Sequence, residues 1–215
     1  MKNILLNGLP FEVDGIDVDD LQVLEETYQA LKTKFNITLQ GNVNLHINKF
    51  ELFNNNPKSS IGGTLILDAP TNNCYLTFIK TDYALSAGGR GGASQTANYS
   101  KYQVWGVVNL SNDFGRVLIR KKTFADKMMG LFQSVSLKFT DDQEFSSRFY
   151  VVANDIAKAG KAMTPAFRKV ILPMLKDDQV IEIVNNTLII GDGGPINPEK
   201  SLQIAEFVER LAAVA

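Results

Sequence analysis

The chain has 215 residues, 45% hydrophobic and 21% charged, with 16 glycines and a formal net charge of −1. That length can bury one sizeable core or two small ones, the composition excludes wholesale disorder, and the missing basic excess argues against a nucleic-acid partner. A single Cys74 permits no intrachain disulfide, and with a single His46 it leaves no Cys/His zinc site within one chain.

No apolar run approaches the roughly 20 residues needed to cross a bilayer. The opening MKNILLNGLPFEV runs into Pro10 and then acidic residues without a small-residue cleavage pattern. The expectation is a soluble cytoplasmic protein with no metal or cofactor.

DVDDLQVLEETYQALKTKF carries Val18, Leu21, Leu24, Tyr28, Leu31 and Phe35 at intervals of three and four, which predicts an amphipathic helix. Asp17 suits its N-cap, and Asp19 and Asp20 suit the positive end of the helix dipole. These residues, with Asp14, Glu25 and Glu26, form an acidic cluster; Arg116, Arg120, Lys121, Lys122 and Lys127 form a basic one. Each reads either as solvated surface or as a docking patch.

From residue 37 to 122 the pattern shifts to period two. VNLHINKF alternates Val43, Leu45 and Ile47 against Asn44, His46 and Asn48, as a strand with one wet face does. GTLILDAP, NCYLTFIKTDY, KYQVWGVVNL and GRVLIRKK are further strand candidates. The Asn, Pro, Asp and Gly turns between them predict an antiparallel meander, because parallel neighbours need long crossovers. FADKMMGLF then suggests a short helix. SVSLKFT suggests a strand with Val135, Leu137 and Phe139 on one face, and Thr140 with Gln143 suggests a capping box opening DDQEFSS.

RFYVVA reads as a strand and DIAKAGKAM as a helix. Thr164-Pro165 marks a helix start, and Pro173 should kink or shorten that helix. QVIEIVNNTLIIGDG predicts a hairpin turning at Asn185-Asn186, and Asn197-Pro198 opens a last helix. The fold class expected is α+β: a mainly antiparallel sheet, an N-terminal amphipathic helix and helices in the C-terminal half. One domain over 1–215 is expected, with a possible division near 123 into a helix plus meander (1–122) and a mixed α+β part (123–215).

One stretch invites a chemical reading. SAGGRGGASQTANYSKY, residues 86–102, sets four glycines around Arg90. A phosphate-binding Walker loop needs Gly-Lys-Ser/Thr, whereas here Ala93-Ser94 follow and no lysine comes before Lys101. The dinucleotide fingerprint needs a helix after the glycines, and a strand pattern follows instead. Two readings stay open: a mobile connector, or a loop in which Gly88, Gly89, Arg90, Gly91 and Gly92, with Lys101, bind an anionic ligand or a partner.

Other reagents are scarce. His46 is the only histidine and lies on the expected polar strand face. Cys74 lacks a CxxC partner and reads as a buried or half-buried thiol. Asp141, Asp142 and Glu144 read as helix-start carboxylates, without the spacing of a calcium loop. GDGGP (191–195) reads as a hairpin exit. Trp105 and the many tyrosines and phenylalanines fall on strand patterns, as core residues do.

Glu144, Phe145, Phe149, Val151, Asp155, Ala157, Thr164 and Pro165 follow one another as a strand, an acidic residue and Phe, a Phe-x-Val strand, an Asp, an Ala-containing helix and a Thr-Pro helix start. Over about residues 100–192 this resembles an uncharacterised family of bacterial proteins, a domain of unknown function. Many of its members carry membrane-spanning segments ahead of the domain, where this chain has its acidic helix. The resemblance rests on packing and capping positions, so it implies a fold and no activity.

The functional expectation is a non-enzymatic protein-interaction or scaffolding domain whose partner is another protein or a second copy of itself. The alternative is a small anionic-ligand-binding domain using the 86–102 loop.

Overall fold

In a computed structural model, which describes residue 11 and residues 16–39, 45–54, 58–68, 74–88, 94–122, 135–173 and 178–214, the acidic N-terminal segment forms α1 (Val18–Lys34). Asp17 caps it, accepting the Asp20 N–H at 2.8 Å. Leu24, Tyr28 and Leu31 are buried as the period-3.6 face demands, together with Thr27. Val18 departs from that stripe and stays 68% exposed.

After β1 (Ile37–Leu39) the chain makes a 3₁₀ turn (Ile47–Lys49) and the single-turn α2 (Glu51–Asn54). The strand expected over VNLHINKF is therefore absent from its described part, residues 45–50. His46 adopts a left-handed φ of 48°, which no strand tolerates. Leu45 and Ile47 pack instead on Phe50, Phe53 and Trp105. Alternation alone did not separate a strand from a segment that folds over a sheet face.

The sheet continues with β2 (Ser59–Leu67), β3 (Cys74–Gly88), β4 (Ser94–Asn109), β5 (Arg116–Lys121) and β6 (Val135–Ser136). The C-terminal part supplies α3 (Gln143–Arg148), β7 (Phe149–Ala153), α4 (Ile156–Ala162), α5 (Pro165–Ile171), β8 (Val180–Val184), β9 (Thr187–Gly191) and α6 (Pro198–Ala212). The expected helix in FADKMMGLF lies outside the described residues.

The nine strands form one sheet in the order β1-β2-β3-β4-β9-β8-β5-β7-β6, and every pairing is antiparallel. The fold is α+β. The meander holds from β1 to β4 and then breaks. The β8–β9 hairpin, turning at Asn185 with φ 57°, inserts between β4 and β5. Residues before and after position 123 thus share one sheet.

The two faces are unequal. On one, Leu76, Phe78, Val104, Val108, Leu188 and Ile190 meet Leu24 and Leu31 of α1 and Ile204, Phe207, Val208 and Leu211 of α6. On the other, Ile79, Trp105, Val107 and Ile189 are covered by Phe50 and Phe53.

Ion pairs pin the ends. Asp142, rather than the expected Thr140, caps α3 through the Phe145 N–H. Its carboxylate also takes Arg168 at 2.9 Å, and Asp141 takes the same guanidinium at 2.6 Å. Thr164 and Asn197 cap α5 and α6 as expected, and α5 stops at Ile171, two residues before Pro173.

Candidate functional site

β3 and β4 outrun their neighbours. β2 accompanies β3 only from Cys74 to Thr81, and β9 accompanies β4 only from Gly106 to Asn109. Beyond them, among the described residues, the strand partner of Asp82–Gly88 is Ser94–Ser100, in unbroken register. These seven pairs make a two-stranded ribbon about 23 Å long at ~3.3 Å per residue. The loop expected over 86–102 is therefore largely strand. On the side that faces the opposite strand its backbone groups are satisfied by pairing, which needs no hydrophobic face.

Strand geometry decides where the unpaired backbone groups point. The Tyr102 carbonyl accepts the Ile196 N–H at 3.0 Å, and the Leu110 N–H donates to Asn186 at 2.7 Å, both away from β3. In an antiparallel strand the N–H and C=O of one residue share a side, and the side alternates with each residue. Ser94, Thr96, Asn98 and Ser100 consequently turn their N–H and C=O outward. Among the described residues no strand meets them there.

The root of the ribbon is chemically richer. Tyr83 and Tyr99, opposite one another, stack at 5.1 Å between ring centroids. The Lys101 ammonium lies 5.6 Å from the first ring and 5.8 Å from the second, within cation–π range. Ser100 donates to Asp82 at 2.6 Å across the pair. Beside them opens a cavity of about 480 Å³, lined by Asp17 and Asp20 from the start of α1, Tyr99, Ser100 and Lys101 from β4, and Pro195.

Pro195 is held in place by the GDGGP segment, which is a hairpin exit as expected. Asp192 accepts the Gly194 N–H and pairs with Lys200, while Gln103 donates to the Gly193 carbonyl at 2.6 Å. The Asp20 carboxyl is pushed above its ordinary value, first by burial and then by Asp17 and Asp19, with Lys101 pulling the other way.

Of the residues expected to act together, Gly88 ends β3 and Lys101 lies opposite Thr81, seven residues back along the ribbon. The described ends of that proposed site are thus about 23 Å apart. Gly89, Arg90, Gly91 and Gly92 lie outside the described residues.

The remaining candidates disperse. Cys74 is fully buried, its thiol pushed up to about 11 by burial, with Glu209 adding to the shift. His46 sits in the 3₁₀ turn on the opposite face. Asp141, Asp142 and Glu144 serve Arg168, the α3 cap and Arg148. Arg116 and Arg120 of the basic cluster turn inward, Arg116 onto Glu182 and the buried Arg120 over the Tyr150 ring. Among the described residues no three His, Cys, Asp or Glu side chains could share a metal.

Sequence reasoning missed the outward edge of Ser94–Ser100 and the Tyr83–Tyr99 pair. The available signal was the matched length of polar, β-compatible sequence on both sides of the glycines.

The architecture is therefore an α+β fold with one antiparallel sheet and a projecting ribbon. Neither a protein-family profile nor a curated protein sequence matches the chain. Its backbone is similar to the crystal structure of the mycobacterial trehalose monomycolate transport factor A, TtfA, with a TM-score of 0.50 over 92% of this chain and 95% of that one. At 7% sequence identity the likeness is one of fold. Among the described residues no helix is long and apolar enough to cross a membrane.

Proposed function

We propose that this protein is a non-enzymatic interaction domain of the cytoplasm that docks an extended polypeptide segment along the outer edge of β4. The observation that carries this reading is the row of outward N–H and C=O groups at Ser94, Thr96, Asn98 and Ser100, flanked by a cavity at Lys101. An unpaired edge is a template for strand addition: backbone bonds supply affinity and adjoining pockets supply selectivity.

The other reading, an anionic ligand held by the glycine-rich loop and Lys101, is weaker at the described end of that site. Two carboxylates, Asp17 and Asp20, stand there against one ammonium. TtfA is named a transport factor, but a shared fold does not carry cargo or partners from one protein to another.

The test is selection of displayed extended peptides on the immobilised protein. Selected peptides should perturb the amide resonances of Ser94–Ser100. Asn98→Pro, which deletes an outward N–H, should weaken them about tenfold or more. Peptides that bind elsewhere, or that ignore this substitution, would refute the reading.

A further inference from the structure

We infer that the strand occupying the β4 edge is β4 of a second copy of this chain, paired antiparallel about a two-fold axis at Ala97. This assignment rests on the docking reading above and names its partner.

The first support is how the sheet treats its other edges. The outermost strands, β1 and β6, are three and two residues long. Very short edge strands are a common protection against unwanted pairing. Of such guards Ser94–Ser100 lacks proline and charge, its register with β3 is free of bulges, and among the described residues no strand covers it. Such an edge is left open where pairing is its use.

The second support is register. An isologous pairing places residue i opposite residue j and j opposite i. Hydrogen-bonded pairs require that both residues point outward, so only even-numbered residues can exchange bonds. With the axis at Ala97, Ser94 faces Ser100 of the partner copy and Thr96 faces Asn98 of the partner copy, and the reverse pairs follow by symmetry. All four outward residues are then satisfied. Moving the axis one residue to Asn98 sets Ser94 against Tyr102, whose carbonyl already serves Ile196. One register fits best.

The third support is charge. Self-pairing sets every edge residue near its own kind, so a charge on the edge would meet a like charge. The edge is neutral, and the nearest charge on β4, Lys101, falls outside the paired span. Two copies of Lys101 would stand about 27 Å apart along the strands, beyond the Debye length at physiological salt.

The geometry makes one position diagnostic. Ala97 would face its own symmetry mate as a non-hydrogen-bonded pair, with Cα atoms about 4.5 Å apart, within disulfide range. The two copies of Tyr99 would be separated by about 13 Å, and those of Lys101 by about twice that. The native Cys74 does not interfere, since it is buried and its thiol is raised to about 11.

The experiment is oxidation of Ala97→Cys, Tyr99→Cys and Lys101→Cys with oxidised glutathione, followed by non-reducing electrophoresis. Alongside it, the native chain and Asn98→Pro are sedimented over a concentration series. The expected result is a covalent dimer for Ala97→Cys alone, a concentration-dependent dimer for the native chain, and a monomer for Asn98→Pro with native-like circular dichroism. Equal cross-linking at all three positions overturns the register. A native chain that stays monomeric, with no Ala97→Cys dimer, overturns the second-copy assignment. If peptides still bind Ser94–Ser100 in that case, the docking reading stands; if they do not, both fall.

Discussion

Arg116 on β5 meets the fully buried Glu182 on β8 at 2.7 Å, and the same carboxylate accepts the N–H groups of Glu51 and Leu52 at 3.0 and 3.1 Å. One side chain thus anchors α2 to the sheet face that it covers, and Arg116 closes the clamp by donating to the Lys49 carbonyl at 2.9 Å. Two residues distant in sequence hold in place the turn that displaced an expected strand.

Removing that anchor should be costly. Glu182→Ala leaves two backbone N–H groups without their acceptor, while Arg116 keeps the Lys49 carbonyl and Glu51, a loss of about 1–3 kcal/mol. Glu182→Gln keeps one acceptor and should cost less. Urea denaturation of both variants checks the order, and equal losses would mean that the neutral acceptor contributes nothing and the charge carries the anchor.

The same carboxyl gives a pH dependence. Burial holds Glu182 above its ordinary 4.5, outweighing the two N–H groups and Arg116. A carboxyl raised in the folded state contributes stability that is fully present below pH 4.5 and lost as pH rises through the folded value. The melting temperature of the native chain should therefore decline over that rise relative to Glu182→Gln. Parallel curves would show that the folded and unfolded carboxyls titrate alike.

Gly106 should tolerate no side chain. A Cβ there would lie 2.4 Å from Val208 and 2.7 Å from Ile204, which form the contact face of α6. Gly106→Ala must lift the helix or distort β4, at about 1–3 kcal/mol. Adding Val208→Ala should recover part of that loss, a non-additivity expected of touching residues. Additive losses in denaturation would place the strain elsewhere.

These positions also show what the sequence revealed. The helix caps at Asp17, Thr164 and Asn197 and the turn at Asn185 were legible, because each depends on residues within three or four positions of it. The same holds for Leu24, Tyr28 and Leu31 on the buried face of α1. The insertion of the β8–β9 hairpin beside β4 was not legible, since nothing local to β4 names its neighbour. The Arg116–Glu182 pair spans 66 residues and was hidden among basic side chains that read as surface. Of the candidate site, Lys101 was visible as a charge near the glycines. Its partners Tyr83 and Tyr99 follow only once the register opposite them is known.

Arg168 gives a further test of a hidden constraint. It is 3% exposed, binds Asp141 and Asp142, donates to the Met163 carbonyl at 2.8 Å and lies 4.3 Å from the centre of the Phe139 ring. Arg168→Ala should cost about 1–3 kcal/mol, discounted because the carboxylates are partly solvated. Arg168→Lys should not restore the loss, since an ammonium cannot fork between three acceptors. The Phe145 N–H, followed by Arg168, holds the Asp142 carboxyl below its ordinary 3.8. Its contribution is present above that value and fades as pH falls through the folded one. Full rescue by lysine would reduce the site to a point charge.

Asp20 reports on the cavity at the ribbon's root. Burial, Asp17 and Asp19 raise its carboxyl, and Lys101 is the one described group that opposes them. Lys101→Met should therefore move the Asp20 titration further up, followed by carboxyl carbon NMR, with the exposed Glu26 as a reference. Because a raised carboxyl loses its stabilising contribution as pH rises through the folded value, the variant should also be less stable than the native chain above that pH. A peptide whose cationic group enters the cavity should reverse the shift, since a new positive charge replaces the missing ammonium. If Asp20 titrates identically with and without Lys101, the ammonium lies over the tyrosine rings without reaching the cavity's field, and the pocket is no part of the recognition surface.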